Sequence, residues 1–299
     1  MERTIIGPVF HAARPNFLSL TPLCVLLGIA AALHSAGRVD IGESLLVLLA
    51  ALLGHISVNL LNEYHDFRSG LDHLTVRTPF SGGSGSLPAH PEAAAAAGAA
   101  GAVALAGSVA IGLYFIAEKG WALLPLGLVG ALVVVAYTPL ITRQPLLCLL
   151  APGLGFGPVM VGGSAFVLSG HYSWVGAVAA LPPLLLVSEL LLINQFPDVE
   201  ADRQVGRRHL PIVLGRRRAA VLFGALLIAT YLTIIGGVLA SILPLPALLA
   251  LLTLPAGLLL AVRVHTHADD TKRLLRYLGI NVATIHLTLL LLAVGLLLG

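Results

Sequence analysis

The chain has 299 residues, of which 58% are hydrophobic and 10% charged, and its mean hydropathy is +0.96. This composition excludes an ordinary soluble domain, whose core could not take up so much Leu and Ala, and it indicates an integral membrane protein. The net charge of +3 is therefore interpreted by position, as a marker of the cytoplasmic side and not of nucleic-acid binding. The cysteines, Cys24 and Cys148, both lie in apolar runs and indicate neither disulfides nor a metal knuckle.

Nine apolar runs, each close to the roughly 20 residues that a helix needs to cross a bilayer, predict nine transmembrane helices. Their approximate bounds are 17–36, 41–67, 93–117, 120–137, 146–169, 172–197, 217–241, 244–263 and 275–298. Continuous apolar runs without a two-residue alternation exclude a β-barrel. The sequence predicts one all-α integral membrane domain over residues 1–299, whose first membrane segment is not removed as a signal peptide.

The basic residues are distributed unevenly between the predicted loops. If the N-terminus is cytoplasmic, all Lys and Arg residues except Arg38 and Lys119 fall in cytoplasmic segments. Arg3 and Arg14 then mark the N-terminal tail, and the loop 203–218 carries the densest group. This asymmetry predicts a multi-pass protein of the cell (inner) membrane with a cytoplasmic N-terminus and an external C-terminus.

Two polar stretches, 59–72 and 194–215, stand at the ends of apolar runs. Both contain the pattern Asn, any residue, aromatic, any residue, Asp, formed by Asn62, Tyr64 and Asp66 in the first and by Asn194, Phe196 and Asp198 in the second. The helices that precede them are four spans apart and so run in the same direction. This predicts a parallel internal repeat with both polar ends at the cytoplasmic face, although chance similarity between two Leu/Ala-rich segments is the alternative.

Helical spacing places Asn59, Asn62 and Asp66 on one face of the first helix. It places Asn194, Asp198 and Asp202 on one face of the second. With Glu63, Asp72 and Glu200 the two stretches hold six acids, which repel one another unless cations lie between them. Oxygen ligands without a His or Cys cluster suit a hard ion, Mg²⁺ before Ca²⁺.

Arginines follow each acidic stretch, Arg68 and Arg77 after the first and Arg203 and Arg207 within the second. Carboxylates that hold Mg²⁺ beside guanidinium groups that bind phosphate oxygens in pairs are typical of a diphosphate site. The alternative is that these arginines only mark topology, which we favour for 216–218. The Gly/Ser loop 78–85 after Arg77 either offers backbone N–H groups to an anion or is a plain connector.

Glu189 lies inside an apolar run, away from both stretches. An acid at such a position is either a functional group that faces the interior of the bundle or a protonated packing residue, and the sequence leaves both interpretations open. The histidines of the apolar runs share no ligand spacing, so we predict neither a haem nor a zinc site.

The two motifs together resemble the paired aspartate-rich motifs of the UbiA superfamily of intramembrane prenyltransferases. The residues that carry the resemblance are Asn59-x-x-Asn62-x-Tyr64-x-Asp66-x-x-x-Gly70-x-Asp72 and Asn194-x-Phe196-Pro197-Asp198-x-x-x-Asp202, continued to Gly215. Within the superfamily they are most similar to the 1,4-dihydroxy-2-naphthoate polyprenyltransferases of menaquinone synthesis, as is Tyr137-Thr138-Pro139. Glu63, where Asp is usual, Pro197, where Arg is common, and His209 depart from that pattern.

The resemblance implies a UbiA-type bundle that binds Mg²⁺ and transfers a polyprenyl group from its diphosphate to an aromatic acceptor in the membrane. The implied metal ligands are Asp66, Asp72, Asp198 and Asp202, with Asn62 and Asn194. The implied substrate-binding residues are Asn59, Asn62, Arg68, Arg77, Arg143, Asn194, Arg203 and Arg207, with Arg143 and Asn194 at the acceptor's carboxylate. Asp66, Asp198, Tyr64 and Tyr137 are the expected catalytic residues, with Tyr64 or Tyr137 facing the allylic cation.

Two alternatives to the naphthoate hypothesis remain. The first keeps the chemistry and changes the acceptor to 4-hydroxybenzoate, homogentisate, a chlorin, haem or a glycerol lipid. The second is an ion-coupled transporter, since parallel repeats and intramembrane acids occur there too. The acids cluster at one predicted membrane face and not at the midplane, which favours the enzyme.

Overall fold

The computed structural model describes residues 5–299, so Arg3, one of the topology markers, lies outside the described residues. All regular structure in the described part is helical. We number the main helices α1 (Ile6–Ala12), α2 (Leu20–Ala36), α3 (Ile41–Ser69), α4 (Pro91–Lys119), α5 (Trp121–Ala136), α6 (Pro145–Ser169), α7 (Trp174–Asn194), α8 (Val199–Gln204), α9 (Leu210–Leu214), α10 (Arg216–Leu239), α11 (Leu245–Thr266) and α12 (Thr271–Leu298).

Each of the nine apolar runs forms a helix, but not all of these helices are long enough to span a membrane. Within residues 5–299, 7 single helices are long and apolar enough, namely α3, α4, α6, α7, α10, α11 and α12. The segment Ile6–Phe17 and α2 form an eighth candidate, bent by 49°. Helix α5 is shorter than the spanning length, because a helix rises about 1.5 Å per residue and the hydrocarbon core is about 30 Å thick. The prediction of nine spans is therefore confirmed only as an all-helical membrane fold.

Small residues allow α3 and α4 to pack closely. A Cβ atom added at Gly98 would lie 3.2 Å from the ring of Tyr64, and one at Gly101 would lie 3.1 Å from the side chain of Leu61. The alanine-rich run of α4 is therefore a packing surface, as small residues in membrane helices commonly are. This packing fixes α3, whose last turns carry the first motif.

Helix α6 is irregular where it passes the centre of the bundle. Its middle segment Gly155–Gly162 is a π-helix, and proline lies inside the helix at Pro152 and Pro158. On the side that faces α7, a Cβ atom at Gly153 or Gly157 would collide with main-chain carbonyl oxygens of α7. The two backbones are therefore in direct contact, and α6 positions the helix that delivers the second motif.

The chain ends α3 and α7 in ways that bring the two motifs together. Gly70, with φ of 78°, caps α3 and turns the chain so that Asp72 follows at once. After α7 the chain turns through Asp198 into the short helices α8 and α9. Fully buried Phe196 lies in a core shared by α2, α7 and α10 to α12, which anchors this turn.

Candidate active site

Both motifs line one cavity of about 220 Å³, which we call the polar cavity. The predicted residues that line it are Asn59, Asn62, Asp66, Asp72, Tyr137, Asn194, Asp198, Asp202 and Arg207. Residues far apart in the sequence thus contact the same space. Helical spacing predicted this for Asn59, Asn62 and Asp66 of the first motif. The prediction that Asn194, Asp198 and Asp202 share one helix face is wrong, because α7 ends at Asn194, a turn follows and α8 begins only at Val199. Hydrogen bonds fix the side-chain amides of the first motif. Asn59 Nδ2 donates to the carbonyl oxygen of Ala13 at 2.9 Å, and Asn62 Nδ2 donates to Thr138 Oγ1 at 3.0 Å.

Arg207 joins the two motifs. Its guanidinium donates to Asp66 of the first motif and, at 2.9 Å, to Oδ1 of Asp202 in the second. The other oxygen of Asp202 lies 2.8 Å from Nε2 of His209. Because Asp66, Asp202 and His209 are buried, these contacts compensate charges that would be costly without a partner.

The remaining two carboxylates of the polar cavity are less well satisfied. Among the described residues, Asp72 Oδ2, Asp198 Oδ1 and Asn194 Oδ1 are buried without a hydrogen-bond partner. The backbone N–H of Gly82 donates to the other oxygen of Asp198 at 3.1 Å. Burial raises the pKa of Asp72 to about 7, and the carboxylates of Glu63 and Asp66 add to the shift. Burial likewise raises the pKa of Asp198 to about 7, with a further contribution from Asp202.

These oxygens match the chemistry of a hard divalent cation. Within residues 5–299 no group of three or more His, Cys, Asp or Glu side chains is placed so that these side chains alone could hold a metal ion. The polar cavity nevertheless contains carboxylate and amide oxygens, and three of them, on Asp72, Asp198 and Asn194, are buried and accept no hydrogen bond among the described residues. Unpartnered buried acceptors need an explanation, and a bound Mg²⁺ would supply it. Asp72, Asp198 and Asn194 have oxygens available for such an ion, whereas Asp66 and Asp202 share Arg207.

Tyr64 and Arg68 do not line the polar cavity. The ring of Tyr64 packs on Gly98 of α4, and the guanidinium of Arg68 lies 5.7 Å from the centre of that ring. Arg68 also donates to the Tyr64 hydroxyl at 3.2 Å. Of the two tyrosines expected at the allylic cation, Tyr137 lines the polar cavity and Tyr64 does not.

The other predicted arginines lie at the surface. Arg203 is 55% exposed and pairs with Glu200 at 3.1 Å, and Arg143 is exposed at the end of a short 3₁₀ turn. The expected pairing of Arg143 with Asn194 therefore finds no support in their positions. Arg77 lines a separate crevice of about 850 Å³ between α1 and the Gly/Ser loop.

Arg14 and Glu63 form part of the site that the sequence did not reveal. Glu63 is fully buried and accepts from Arg14 Nε at 2.7 Å, from the Ser84 N–H at 2.8 Å and from Ser84 Oγ at 2.6 Å. Both of its oxygens are thus occupied. Glu63 holds Arg14 and the Gly/Ser loop against α3, and Arg14 lines the polar cavity. The unusual Glu at this motif position was the one signal in the sequence.

A second cavity of about 460 Å³, the apolar cavity, lies between α3, α4, α5 and α6. It shares Tyr137, Pro152 and Phe156 with the polar cavity. Aliphatic residues form most of its wall, including Leu113 and Leu128, which are 58% and 53% exposed on the outside of the bundle. An acidic, metal-compatible space therefore adjoins an apolar space beside the lipid, an arrangement that fits a molecule with a charged head and a long apolar tail.

Glu189 belongs to neither space. It is fully buried, and Asn281 Nδ2 donates to its Oε2 at 2.9 Å. It does not line the polar cavity, the apolar cavity or the crevice of Arg77. Its position favours the packing interpretation over a role in the site.

The sequence and the fold of this chain are similar to those of known proteins. The chain is 30% identical to the 1,4-dihydroxy-2-naphthoate octaprenyltransferase of Bacillus subtilis (strain 168) over 234 residues, which are 76% of this chain and 72% of that protein. Its fold is similar to a UbiA homolog from Aeropyrum pernix K1, with a TM-score of 0.68 at 19% identity, covering 95% of this chain and 98% of the other. It is also similar to a UbiA homolog from Archaeoglobus fulgidus bound to DMAPP and Mg²⁺, with a TM-score of 0.57 at 15% identity over 96% of this chain and 99% of the other.

Both motifs and most of the described helices fall within the segment that a family model matches. The model of the UbiA prenyltransferase family matches residues 21–290, which include both motifs, helices α3 to α11 and most of α2 and α12. The chain therefore belongs to the UbiA prenyltransferase family.

Proposed function

We propose that this prenyltransferase is Mg²⁺-dependent and transfers a polyprenyl group from its diphosphate to 1,4-dihydroxy-2-naphthoate. The observation that carries the proposal is the junction of the polar and apolar cavities at Tyr137, Pro152 and Phe156. A polyprenyl diphosphate has its charged head and its apolar tail on either side of one allylic carbon. The junction would place that carbon beside Tyr137.

Asp72, Asp198 and Asn194 would hold Mg²⁺ through their unpartnered oxygens, together with Asp66 and Asp202. When bound, the ion neutralises charge on the diphosphate oxygens as the leaving group departs. The Archaeoglobus fulgidus homolog, bound to DMAPP and Mg²⁺, supports the choice of this ion.

Arg14 and Arg207 are the arginines that line the polar cavity among residues 5–299. Each now contacts acids, Arg14 with Glu63 and Arg207 with Asp66 and Asp202. Guanidinium groups bind phosphate oxygens in pairs, so both side chains are suited to the diphosphate. They would stabilise the charge that grows on the leaving oxygen, an effect that commonly contributes strongly to catalysis.

In the proposed reaction the bond from the allylic carbon to the diphosphate oxygen breaks, and its electron pair leaves with the diphosphate. The ring carbon of the dihydroxynaphthoate that bears the carboxylate forms a bond to the allylic carbon. The carboxylate then leaves as CO₂ and returns its bonding pair to the ring. The aromatic face of Tyr137 would stabilise the positive charge before the ring attacks.

The choice of acceptor rests on two observations. The first motif resembles those of naphthoate enzymes, and the Bacillus subtilis relative is a 1,4-dihydroxy-2-naphthoate octaprenyltransferase. The same site chemistry would also serve 4-hydroxybenzoate or another aromatic acceptor. Purified protein with Mg²⁺ and a polyprenyl diphosphate should therefore prenylate the naphthoate in preference to the benzoate. Prenylated 4-hydroxybenzoate without a naphthoate product would contradict this choice.

The metal-diphosphate model is tested separately by removing single carboxylates. We expect Asp66→Asn and Asp198→Asn each to lower turnover by at least about a hundredfold, because each change removes a charged oxygen from the proposed metal site. Asp269→Asn is the control, since Asp269 is 59% exposed and pairs with Arg217 at the surface. Near-normal prenyl transfer by either variant, or by wild-type membranes after EDTA treatment, would refute the model.

A further inference from the structure

Glu189 is a buried acid on the face of α7 that points away from the polar cavity. The residues of α7 that line this cavity lie on the opposite face of the helix, namely Val187, Leu190, Leu191 and Asn194. Glu189 is fully buried, and within residues 5–299 it forms no ion pair. Its one hydrogen bond there comes from Asn281 Nδ2 on α12, at 2.9 Å. A carboxylate in such surroundings would be costly, because burial removes water and no cation replaces it.

The bond between Glu189 and Asn281 leaves one oxygen of each side chain without a donor. Glu189 Oε1 and Asn281 Oδ1 are both buried and have no hydrogen-bond partner among the described residues. An ionised carboxylate only accepts hydrogen bonds and cannot satisfy the amide oxygen, whereas a carboxylic acid has one O–H to donate. A single proton on Oε1 would give Asn281 Oδ1 its donor and would remove the charge. The acid and the amide would then be joined by two hydrogen bonds, and neither oxygen would lack a partner.

The pair joins α7 to α12 close to the second motif. Asn194 follows Glu189 by five residues, which is about 7.5 Å along a helix that rises about 1.5 Å per residue. The Oδ1 atom of Asn194 is one of the unpartnered oxygens of the polar cavity. On another side, α7 is in contact with α6 at Gly153 and Gly157. The position of Asn194 therefore depends on two contacts of α7, and the contact with α12 is made by a polar pair within an apolar core.

Helix α12 also supports the Gly/Ser loop. Gly279 precedes Asn281 by two residues, and a Cβ atom added at Gly279 would lie 3.5 Å from the ring of Phe80 in this loop. In the same loop, the N–H of Gly82 donates to Asp198. One segment of α12 thus contacts both the loop that binds Asp198 and the helix that ends at the second motif. The buried pair fixes the helix to this support.

We propose that Glu189 is a carboxylic acid, paired with Asn281 through two hydrogen bonds, and that this pair positions α7 so that Asn194 can bind the cation. Glu189 is then a positioning residue, which touches neither substrate nor ion and keeps its proton during turnover. The role of Asn194 rests on the proposed function, whereas the protonation and the pairing do not. An amide should be able to replace the acid. Glu189→Gln has an N–H in place of the O–H and keeps both hydrogen bonds, whereas Glu189→Leu keeps neither.

The first test detects the proton. The infrared difference spectrum between the wild-type protein and Glu189→Gln, both full-length and in nanodiscs, should show the loss of a carboxylic-acid C=O stretching band. Glu43→Gln is the matched control, because Glu43 forms an ion pair with Lys119 at 2.5 Å. Its difference spectrum should show the loss of carboxylate bands. Loss of carboxylate bands in Glu189→Gln would overturn the proposal.

The second test exchanges the two partners. We expect Glu189→Leu to weaken Mg²⁺ binding by about tenfold in calorimetry, because Asn194 loses its position, and Glu189→Gln to stay within about twofold of the wild type. Asn281→Asp places two acids side by side and should bind Mg²⁺ as weakly as Glu189→Leu. The double variant Glu189→Gln, Asn281→Asp again contains one acid and one amide, and it should recover the wild-type affinity. General damage to packing would not be repaired by a second substitution, so the recovery reports the pair.

Melting temperatures test the pairing without Mg²⁺ or turnover. Asn281→Asp should melt below the wild type, and the double variant should melt with the wild type. Equal Mg²⁺ affinities in Glu189→Gln and Glu189→Leu would overturn the proposal, as would a double variant that recovers neither affinity nor melting temperature. The proposed function is tested independently. If no acceptor is prenylated but the acid band and the recovery are both observed, the pair stands and the assigned reaction fails.

Discussion

The acids of the two motifs are held in different ways. Glu63 is neutralised by Arg14, and Asp66 and Asp202 share Arg207. Asp72 and Asp198 each keep a buried oxygen without a partner among the described residues. Acids that look alike in the sequence thus differ in the structure: one is paired with Arg14, two share Arg207, and two keep an oxygen that is available to a cation. The free donors are the groups on which the affinity for a cation should depend most.

The pKa values of Asp72 and Asp198 predict how Mg²⁺ affinity changes with pH. Burial raises the pKa of both carboxyl groups to about 7, so they are protonated below that pH and ionised above it. A metal ligand must be deprotonated, and binding of the ion therefore releases protons. We expect the Mg²⁺ affinity of the purified protein to fall by at least about tenfold when the pH is lowered from 8 to 6. Calorimetry in buffers of different ionisation enthalpy measures both the Mg²⁺ affinity and the number of protons released. A Mg²⁺ affinity that does not change between pH 8 and pH 6 would refute the expectation.

At the scale of the helix, the contact of α6 with α7 controls the second motif. Gly157 and Gly162 both lie in the π-helical segment, but only at Gly157 would a Cβ atom meet the backbone of α7. We expect Gly157→Ala to separate the helices, to lower stability by about 1–3 kcal/mol and to reduce activity, because overpacking moves backbone. Gly162→Ala, where an added Cβ meets nothing within 4 Å, should melt and react like the wild type. Equal melting temperatures for the two variants would show that this contact is not tight.

The helix bounds were predictable to within a few residues because a helix that lies in a membrane needs a continuous run of apolar residues, which is visible in the sequence. The seventh helix, for example, was expected over 172–197 and is found at Trp174–Asn194. Apolarity does not determine whether a helix is long enough to cross, and so the short α5 and the bend before α2 were missed. Both properties depend on loops and tertiary packing.

The site was predictable where helical periodicity determines it and not elsewhere. Asn59, Asn62 and Asp66 lie on one face of α3 and all line the polar cavity. Arg203 and Arg207 are four residues apart, yet Arg203 is at the surface and Arg207 is in the cavity. The chain turns between them at Gly206, with φ of 82°, and one sequence gives no sign of which way the next side chain points.

At the scale of the whole molecule, the apolar cavity should govern the length of prenyl chain that the protein accepts. Gly112 lines this cavity, and an added Cβ there meets nothing within 4 Å. We expect Gly112→Phe to occupy part of the 460 Å³ and to raise the KM of long polyprenyl diphosphates by about tenfold, because the tail loses the apolar space that it would fill. The KM of dimethylallyl diphosphate, which has almost no tail, should change little.

Gly236→Phe is the matched control for this experiment. Gly236 is exposed on α10, has the same free space around it and lies outside the apolar cavity. The two variants add the same side chain to a membrane helix, so a difference between them reports the cavity. A uniform loss with long and short substrates in Gly112→Phe would instead indicate damage to the fold.

The orientation in the membrane depends on α5. Eight crossings place both chain ends on the same side, whereas nine place them on opposite sides, and α5 is the helix whose length leaves the number open. Lys119 precedes α5 and Arg143 follows it, and the distribution of basic residues assigns the two to opposite faces. We therefore expect α5 to cross with local thinning of the bilayer, the N-terminus to be cytoplasmic and Gly299 to be external. A reporter that works only in the cytoplasm should be active when it is fused to the N-terminus or inserted after Arg143. It should be inactive when it is fused after Gly299. An active reporter after Gly299 together with an inactive one after Arg143 would show that α5 does not cross. The N-terminal reporter decides separately on which side of the membrane the first motif lies.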